Sequence, residues 1–72
     1  MPEQSLIKTK AVEIISDYMG EDTAKMYSEF YQTQSDDVIL VSITQLMTEY
    51  VGDVQTKEIL ENKGLINKTN HG

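Results

Sequence analysis

Few side chains in this sequence belong to the types that carry out acid-base or nucleophilic chemistry. The single histidine is His71, the next-to-last residue, in a polar stretch with nothing apolar to anchor it. We therefore do not expect it to act as a positioned general base or phosphoryl acceptor. The absence of cysteine excludes a thiolate nucleophile, a disulfide and a thiolate zinc site. The sequence thus predicts a protein without catalytic residues.

Two pairs of adjacent acids, Glu21-Asp22 and Asp36-Asp37, are the other candidates for chemistry. Each stands where a helix is predicted to begin, and acidic residues are favourable there because they cap the helix or interact with its dipole. Neither pair has the alternating ligands, central glycine and closing glutamate of a calcium loop. We expect no metal site and no cofactor.

Tyr18 and Tyr50 occupy matching positions, each two residues before a glycine. One interpretation makes them a symmetric pair that lines a small-molecule pocket and contributes two hydroxyls. The other has each ring packed over a helix corner with its hydroxyl in solvent or on a carbonyl, which is common in helical proteins. The sequence favours the second interpretation.

The charge balance restricts the classes of partner. Twelve acids against six lysines, with no arginine, give a net charge of −6, which disfavours binding to nucleic acid. The longest uninterrupted apolar run, residues 38–41, is far shorter than a membrane span, and no signal-peptide pattern is present. We expect a cytoplasmic protein with no membrane partner.

Apolar residues recur at helical spacing in the first half of the chain. The first stripe predicts a helix over about residues 3–19 that ends at Gly20, where a left-handed conformation is expected. A second stripe follows this corner and fades into a polar connection over residues 32–36. The two stripes consist of Ile7, Ala11, Ile14, Ile15, Tyr18, and then Ala24, Tyr27, Phe30, Tyr31.

The same pattern restarts at an offset of 32 residues, so that Tyr18 matches Tyr50 and Gly20 matches Gly52. We interpret residues 5–31 and 37–63 as two copies of one helical hairpin, each covering the apolar face of the other. The predicted fold is all-α, a four-helix bundle-like domain built from two duplicated hairpins. It spans residues 1–66, with residues 67–72 as a disordered tail.

Details of the second half carry further expectations. Residues 37–43 are β-branched enough to form a strand, but a lone strand has no partner, so we expect a helix. The fourth helix should span about residues 54–63, with Leu65 folding back on Leu60 in a Schellman-type turn. Lys25 and Lys57 are expected to pair with Asp17 and Glu49, within their respective hairpins.

More apolar side chains occur on the second and third helices than one small bundle can bury. Tyr27 and Phe30 satisfy the inward stripe of the second helix, which leaves Met26 and Tyr31 as candidate interface residues, although the sequence favours a core role for these four side chains together. On the third helix, Leu40 and Val41 extend the apolar surface over more than one face, which fits either a central buried helix or one side of a homodimer contact. The sequence therefore predicts a non-catalytic interaction or regulatory module that binds an unidentified protein and forms a homodimer.

Two other functions remain open at this point. One is a sensor that holds an apolar ligand between the hairpins, with Tyr18 and Tyr50 in the pocket. The other, ranked last, is an acidic mimic of nucleic acid, which would need its carboxylates gathered on one face rather than spread along the chain.

Overall fold

In the computed structural model, which describes residues 6–66, the chain forms four α-helices. They are α1 (Leu6–Met19), α2 (Glu21–Tyr31), α3 (Asp36–Val51) and α4 (Asp53–Asn62). The predicted helices are confirmed in number and order, and the connection between α2 and α3 lies where the polar stretch placed it. The predicted start of the first helix at residue 3 and the predicted tail at residues 67–72 lie outside the described residues.

One glycine joins the helices at each of two sharp corners. Gly20 has φ 102° and ψ 164°, and Gly52 has φ 94° and ψ 166°. The positive φ was expected, but the ψ places both glycines in an extended region that is essentially restricted to glycine, not in the left-handed helical region. Each glycine carbonyl then accepts the first hydrogen bond of the next helix, from the amides of Ala24 and Thr56.

Residues 37–43 are helical, as expected, and the alternative of a β-strand is wrong. Ser35 explains the start of α3, because its side-chain oxygen accepts a hydrogen bond from the Val38 amide at 3.4 Å. Asp36 and Asp37 follow in the first turn, where their charge is favourable to the helix dipole. Local capping therefore outweighs the strand preference of the β-branched residues.

The helices pack as two hairpins, α1 with α2 and α3 with α4, which meet mainly through α1 and α3. Close packing between described helices is concentrated in these three pairs, and the molecule measures 39 × 28 × 16 Å. The arrangement is thus more open than the predicted bundle. All four helices contribute to one core, which consists of Ala11, Ile14, Ile15, Ala24, Tyr31, Ile39, Ile43, Met47, Leu60 and Leu65.

The C-terminal ends of α1 and α3 meet through a tyrosine. The Tyr50 hydroxyl donates a hydrogen bond of 2.8 Å to the carbonyl oxygen of Tyr18. This carbonyl belongs to the last turn of α1, where the backbone oxygens have no partner within the helix. Tyr50 therefore caps α1 from the other hairpin.

The end of α4 is held against α1. Gly64 has φ 79°, and the Leu65 amide bonds to the Leu60 carbonyl at 2.9 Å, which confirms the predicted Schellman turn. The Lys10 ammonium donates to the Lys63 carbonyl at 2.7 Å, and the Lys63 ammonium lies 3.4 Å from a carboxylate oxygen of Glu13. These contacts fix the second hairpin on the first.

Asp17 also pairs with Lys63, at 3.8 Å, and not with Lys25 as the sequence suggested. The ion pair therefore joins the two hairpins instead of lying within one. Its carboxylate is 61% exposed, so its contribution to stability is small.

No helix within residues 6–66 has the length and apolar character needed to cross a membrane.

Candidate functional site

An open groove with a volume of about 580 Å³ lies between α2 and α3. We call it the α2–α3 groove. Its size lies within the range typical of binding sites in proteins, and its lining is mostly apolar. The lining residues are Tyr27 and Phe30 from α2, and Asp37, Val38, Val41, Ser42, Gln45, Leu46 and Glu49 from α3.

The groove exists because α3 is apolar on two faces. Ile39, Ile43 and Met47, spaced by four residues, form its core face and are 1% exposed or less. Val38, Val41 and Leu46 of the same helix line the groove, and Val38 and Val41 remain exposed. The apolar surface of α3 therefore extends beyond the face that the other described helices cover.

The two aromatic rings of the α2 wall, Tyr27 and Phe30, belong to a cluster of three that includes the buried Tyr31. The Tyr27 and Phe30 rings are 6.4 Å apart in an edge-to-face arrangement, and each also contacts the Tyr31 ring, at 5.6 Å and 5.5 Å. Such arrangements stabilise aromatic clusters. Phe30 remains 49% exposed, however, so a large apolar surface faces solvent at the groove.

Tyr31 on α2 and Ser42 on α3 connect the two helices directly. Tyr31 is 1% exposed, and its hydroxyl lies 2.8 Å from the Ser42 hydroxyl, at hydrogen-bonding distance. Burial raises the pKa of Tyr31 because it penalises the phenolate; the Ser42 hydrogen bond opposes this effect and the neighbouring Tyr27 adds to it. This pair therefore links α2 to α3 through a buried ring and a hydrogen bond.

The two charged residues that line the groove are both acidic. Asp37 lies at the start of α3 and Glu49 near its end, and both are exposed. Among the lining residues drawn from the described chain, none is basic. The groove is therefore an apolar trough with a carboxylate toward each end of its α3 wall.

The predicted interface residues divide between surface and core. Met26 is 59% exposed and Val41 is 56% exposed, whereas Leu40 is partly buried against the core and Tyr31 is fully buried. Of these four, only Val41 lines the groove. The structure places Tyr31 inward and leaves Phe30 half exposed, which reverses the assignment made from the stripe of α2.

Tyr18 and Tyr50 lie together, as their matching positions suggested, but away from the groove. They are 42% and 54% exposed, and the Tyr50 hydroxyl is already bonded to the Tyr18 carbonyl. Neither residue lines the α2–α3 groove.

The sequence reasoning missed most of the groove. The sequence predicts Tyr27 and Phe30 in the core, and Val38, Leu46 and Glu49 are not among its predicted site residues. A signal for part of the groove was present, because Val38 and Val41 are three residues apart and share a face of α3 beside its core stripe. Only the position of α2 shows that this face forms a groove.

Residues 6–66 contain no cluster of three or more carboxylate or histidine side chains arranged to hold a metal ion. No protein-family model matches the sequence, and neither the curated proteins nor the solved structures include a significant match. The groove is therefore interpreted from its own geometry.

Proposed function

We propose that this protein is a non-catalytic interaction module that binds another protein through the α2–α3 groove. The observation that carries the proposal is the groove itself, an open apolar trough of about 580 Å³ whose walls include half-exposed Phe30 and Val41. Small monomeric proteins seldom leave contiguous apolar surface of this kind uncovered unless it has a binding role.

We also propose that the two hairpins arose by duplication of one unit. The two corner glycines have nearly the same backbone conformation. Burial agrees at several positions related by the offset, such as Ala11 with Ile43 and Ala24 with Thr56. Both features support a common origin of the halves.

The two proposed copies differ in sequence at the aromatic residues of the α2–α3 groove. The positions of α4 that match Tyr27, Phe30 and Tyr31 hold Ile59, Asn62 and Lys63. The aromatic wall thus belongs to one hairpin alone, although the corners and the core positions are alike. A feature added to one copy, and left partly exposed, is consistent with a function that the other copy does not share.

Capture of partners from an extract of the native host tests the proposal. The bait variants Val41→Glu and Val54→Glu make the same chemical change at two exposed valines, 56% and 73% exposed, of which only Val41 lines the groove. We expect one co-purifying protein to be lost with Val41→Glu and retained with Val54→Glu, since a charge in an apolar contact is strongly unfavourable.

Equal recovery of every co-purifying protein on both variants would refute the groove as the binding surface. Circular dichroism melts of the two variants provide the folding control. Both substitutions are at exposed positions, so neither should change the melting temperature by more than a few degrees.

Homodimer formation is a second candidate, favoured by the exposure of Met26 and Val41 on adjacent helices. Leu40 contributes to it only if the partly buried side chain reaches the surface on association. Sedimentation velocity over a concentration series tests this: a dimer that Val41→Glu converts to monomer supports it, and a monomer at every concentration refutes it.

Binding of a small apolar ligand is the remaining candidate, because the groove volume would accommodate one. The version in which Tyr18 and Tyr50 supply hydroxyls requires a pocket beside them and release of the Tyr50 bond. Thermal stabilisation by a small-molecule fraction of the host, abolished in Tyr50→Phe, would support that version. Stabilisation that persists in Tyr50→Phe would rule out a role for its hydroxyl.

A further inference from the structure

We propose that the occupant of the α2–α3 groove is a helix of a partner protein that places a lysine or arginine beside Glu49 and apolar side chains against Phe30 and Val41. This inference deepens the proposed function and rests on it. It specifies the chemistry of the partner, which the groove shape alone does not.

The strongest argument is that the matching surface of α1 already holds a cation from this chain. The residues 32 positions before Gln45 and Glu49 are Glu13 and Asp17. The Lys63 ammonium lies 3.4 Å from Glu13 and 3.8 Å from Asp17. The face of α1 that matches the groove face of α3 therefore already binds a lysine side chain.

The two hairpins also correspond at Lys63, the residue that carries this charge, because Tyr31 of α2 occupies the matching position. Lys63 at the end of α4 contacts Lys10, and the matching pair at the end of α2 is Tyr31 and Ser42, which are also in contact. The C-terminal end of α4 thus contacts α1 at a point equivalent to the one at which the end of α2 contacts α3. At the end of α4, Lys63 forms ion pairs with the carboxylates of α1. At the end of α2, the matching Tyr31 is buried in the core, and Glu49 of α3 remains exposed.

A helix fits the groove better than an extended peptide. The α3 wall presents side chains at spacings of three and four, and such ridges interlock with the same ridges of another helix. From Asp37 to Glu49 the wall is about 18 Å long, which corresponds to about three turns of a docked helix. Within residues 6–66 there is no strand edge to which an extended peptide could add.

A second copy of this chain is a poorer occupant. In a symmetric contact the same surface meets itself, so the Glu49 and Asp37 carboxylates of one copy would face those of the other. The groove lining offers no basic residue to neutralise them, and the chain as a whole has a net charge of −6. Like charges across an interface oppose association, whereas a basic partner would be attracted to it.

Two synthetic helical peptides of about 18 residues test the inference. Both carry leucines at positions i, i+3, i+4 and i+7; the flanking charged residues are lysines in one peptide and glutamates in the other. Binding to the full chain is measured by fluorescence anisotropy, and the contact surface by amide chemical-shift changes. We expect the lysine peptide to bind with about tenfold lower Kd, with shifts confined to α2 and α3, and the preference to decline in high salt.

Charge reversal at matched positions identifies the carboxylate responsible. Glu49→Lys should abolish or invert the preference for the lysine peptide. Glu58→Lys makes the same change at an exposed position on α4, outside the groove, and should leave the preference intact. A preference that survives in Glu49→Lys would overturn the assignment of this residue.

The remaining outcomes separate this inference from the proposed function. Equal Kd values for the two peptides, with shifts at the groove, would overturn the cationic partner and leave the groove as a binding surface. Absence of binding by either peptide would overturn the helical occupant, while the capture experiment would still decide the function. Wild-type dimers that dissociate in Val41→Glu would assign the groove to a second copy instead.

Discussion

Tyr31 shows how one buried polar side chain can determine the relation between two helices. It contributes a large ring to the core and, through its hydroxyl, a hydrogen bond to Ser42 on α3. A buried hydroxyl without a partner would be costly, so the bond favours the one arrangement of α2 on α3 that forms it.

The raised pKa of Tyr31 predicts a loss of stability at alkaline pH. The folded state favours the neutral phenol, so its contribution is complete below the unfolded pKa of about 10 and is lost as the pH rises through the higher folded value. Chemical denaturation across this pH range should therefore show a falling free energy of unfolding. A tyrosine ionising above the ordinary range should be visible by tyrosinate absorbance in the folded protein.

Tyr31→Phe supplies the control for this prediction. It should cost about 1 kcal/mol at neutral pH, the contribution of an ordinary hydrogen bond, because the partly exposed Ser42 hydroxyl retains access to water. The same variant should lack the high-pH ionisation. If its alkaline titration were identical to that of the wild type, another group would be responsible.

At the scale of the elements, two corners of one residue each decide how the helices turn. Gly20 and Gly52 adopt positive φ with extended ψ, and an added Cβ would meet no atom within 4 Å at either position. The requirement for glycine is therefore a property of the backbone itself, not of crowding by neighbours. Direct succession of two helices leaves no other residue to absorb the change in direction.

We predict that Gly20→Ala and Gly52→Ala each lower the free energy of unfolding by about 1–3 kcal/mol, by similar amounts. Asparagine should be no better tolerated than alanine at these corners. Asparagine adopts the left-handed helical region more readily than other residues, but the corner glycines combine a positive φ with an extended ψ. Urea denaturation provides the measurement, with Glu58→Ala on the exposed face of α4 as a control that should change stability by less than about 0.5 kcal/mol. Full tolerance of alanine at either corner would contradict the assigned conformation.

At the scale of the whole molecule, the two hairpins share one core. Residues from all four helices form a single buried cluster, and α1 and α3 provide most of its fully buried members, including Ile14, Ile15, Ile43 and Met47. A chain of 72 residues buries a small fraction of its surface compared with larger domains, so neither half has apolar area to spare. We therefore expect the stability of each hairpin to depend on the other.

Fragments corresponding to residues 1–33 and 34–72 test this dependence. The cut lies in the connection between α2 and α3, outside the helices. We expect each fragment alone to show little helical circular dichroism, because isolated short helices are marginal in water. An equimolar mixture should recover helicity that melts cooperatively. A fragment that folds fully by itself would show that the hairpins are independent units.

The sequence alone determined the helices, their order and the residues that end them. Local causes suffice for these features: apolar spacing gave the four helices, Ser35 capped α3, glycine stood at each corner, and Gly64 with Leu65 formed the final turn. Each involves residues close together in the chain, whose hydrogen bonds and backbone preferences are the same wherever the segment lies.

Tertiary structure alone decided which apolar residues are buried and where the groove lies. Tyr31 and Phe30 are adjacent on α2, and periodicity could not say which of them would face α3. Lys63 likewise forms its ion pair with a carboxylate on α1 that is 50 residues away in the sequence. Such outcomes depend on the relative position of distant helices, because burial and ion pairing are properties of contacts between elements and not of any one helix.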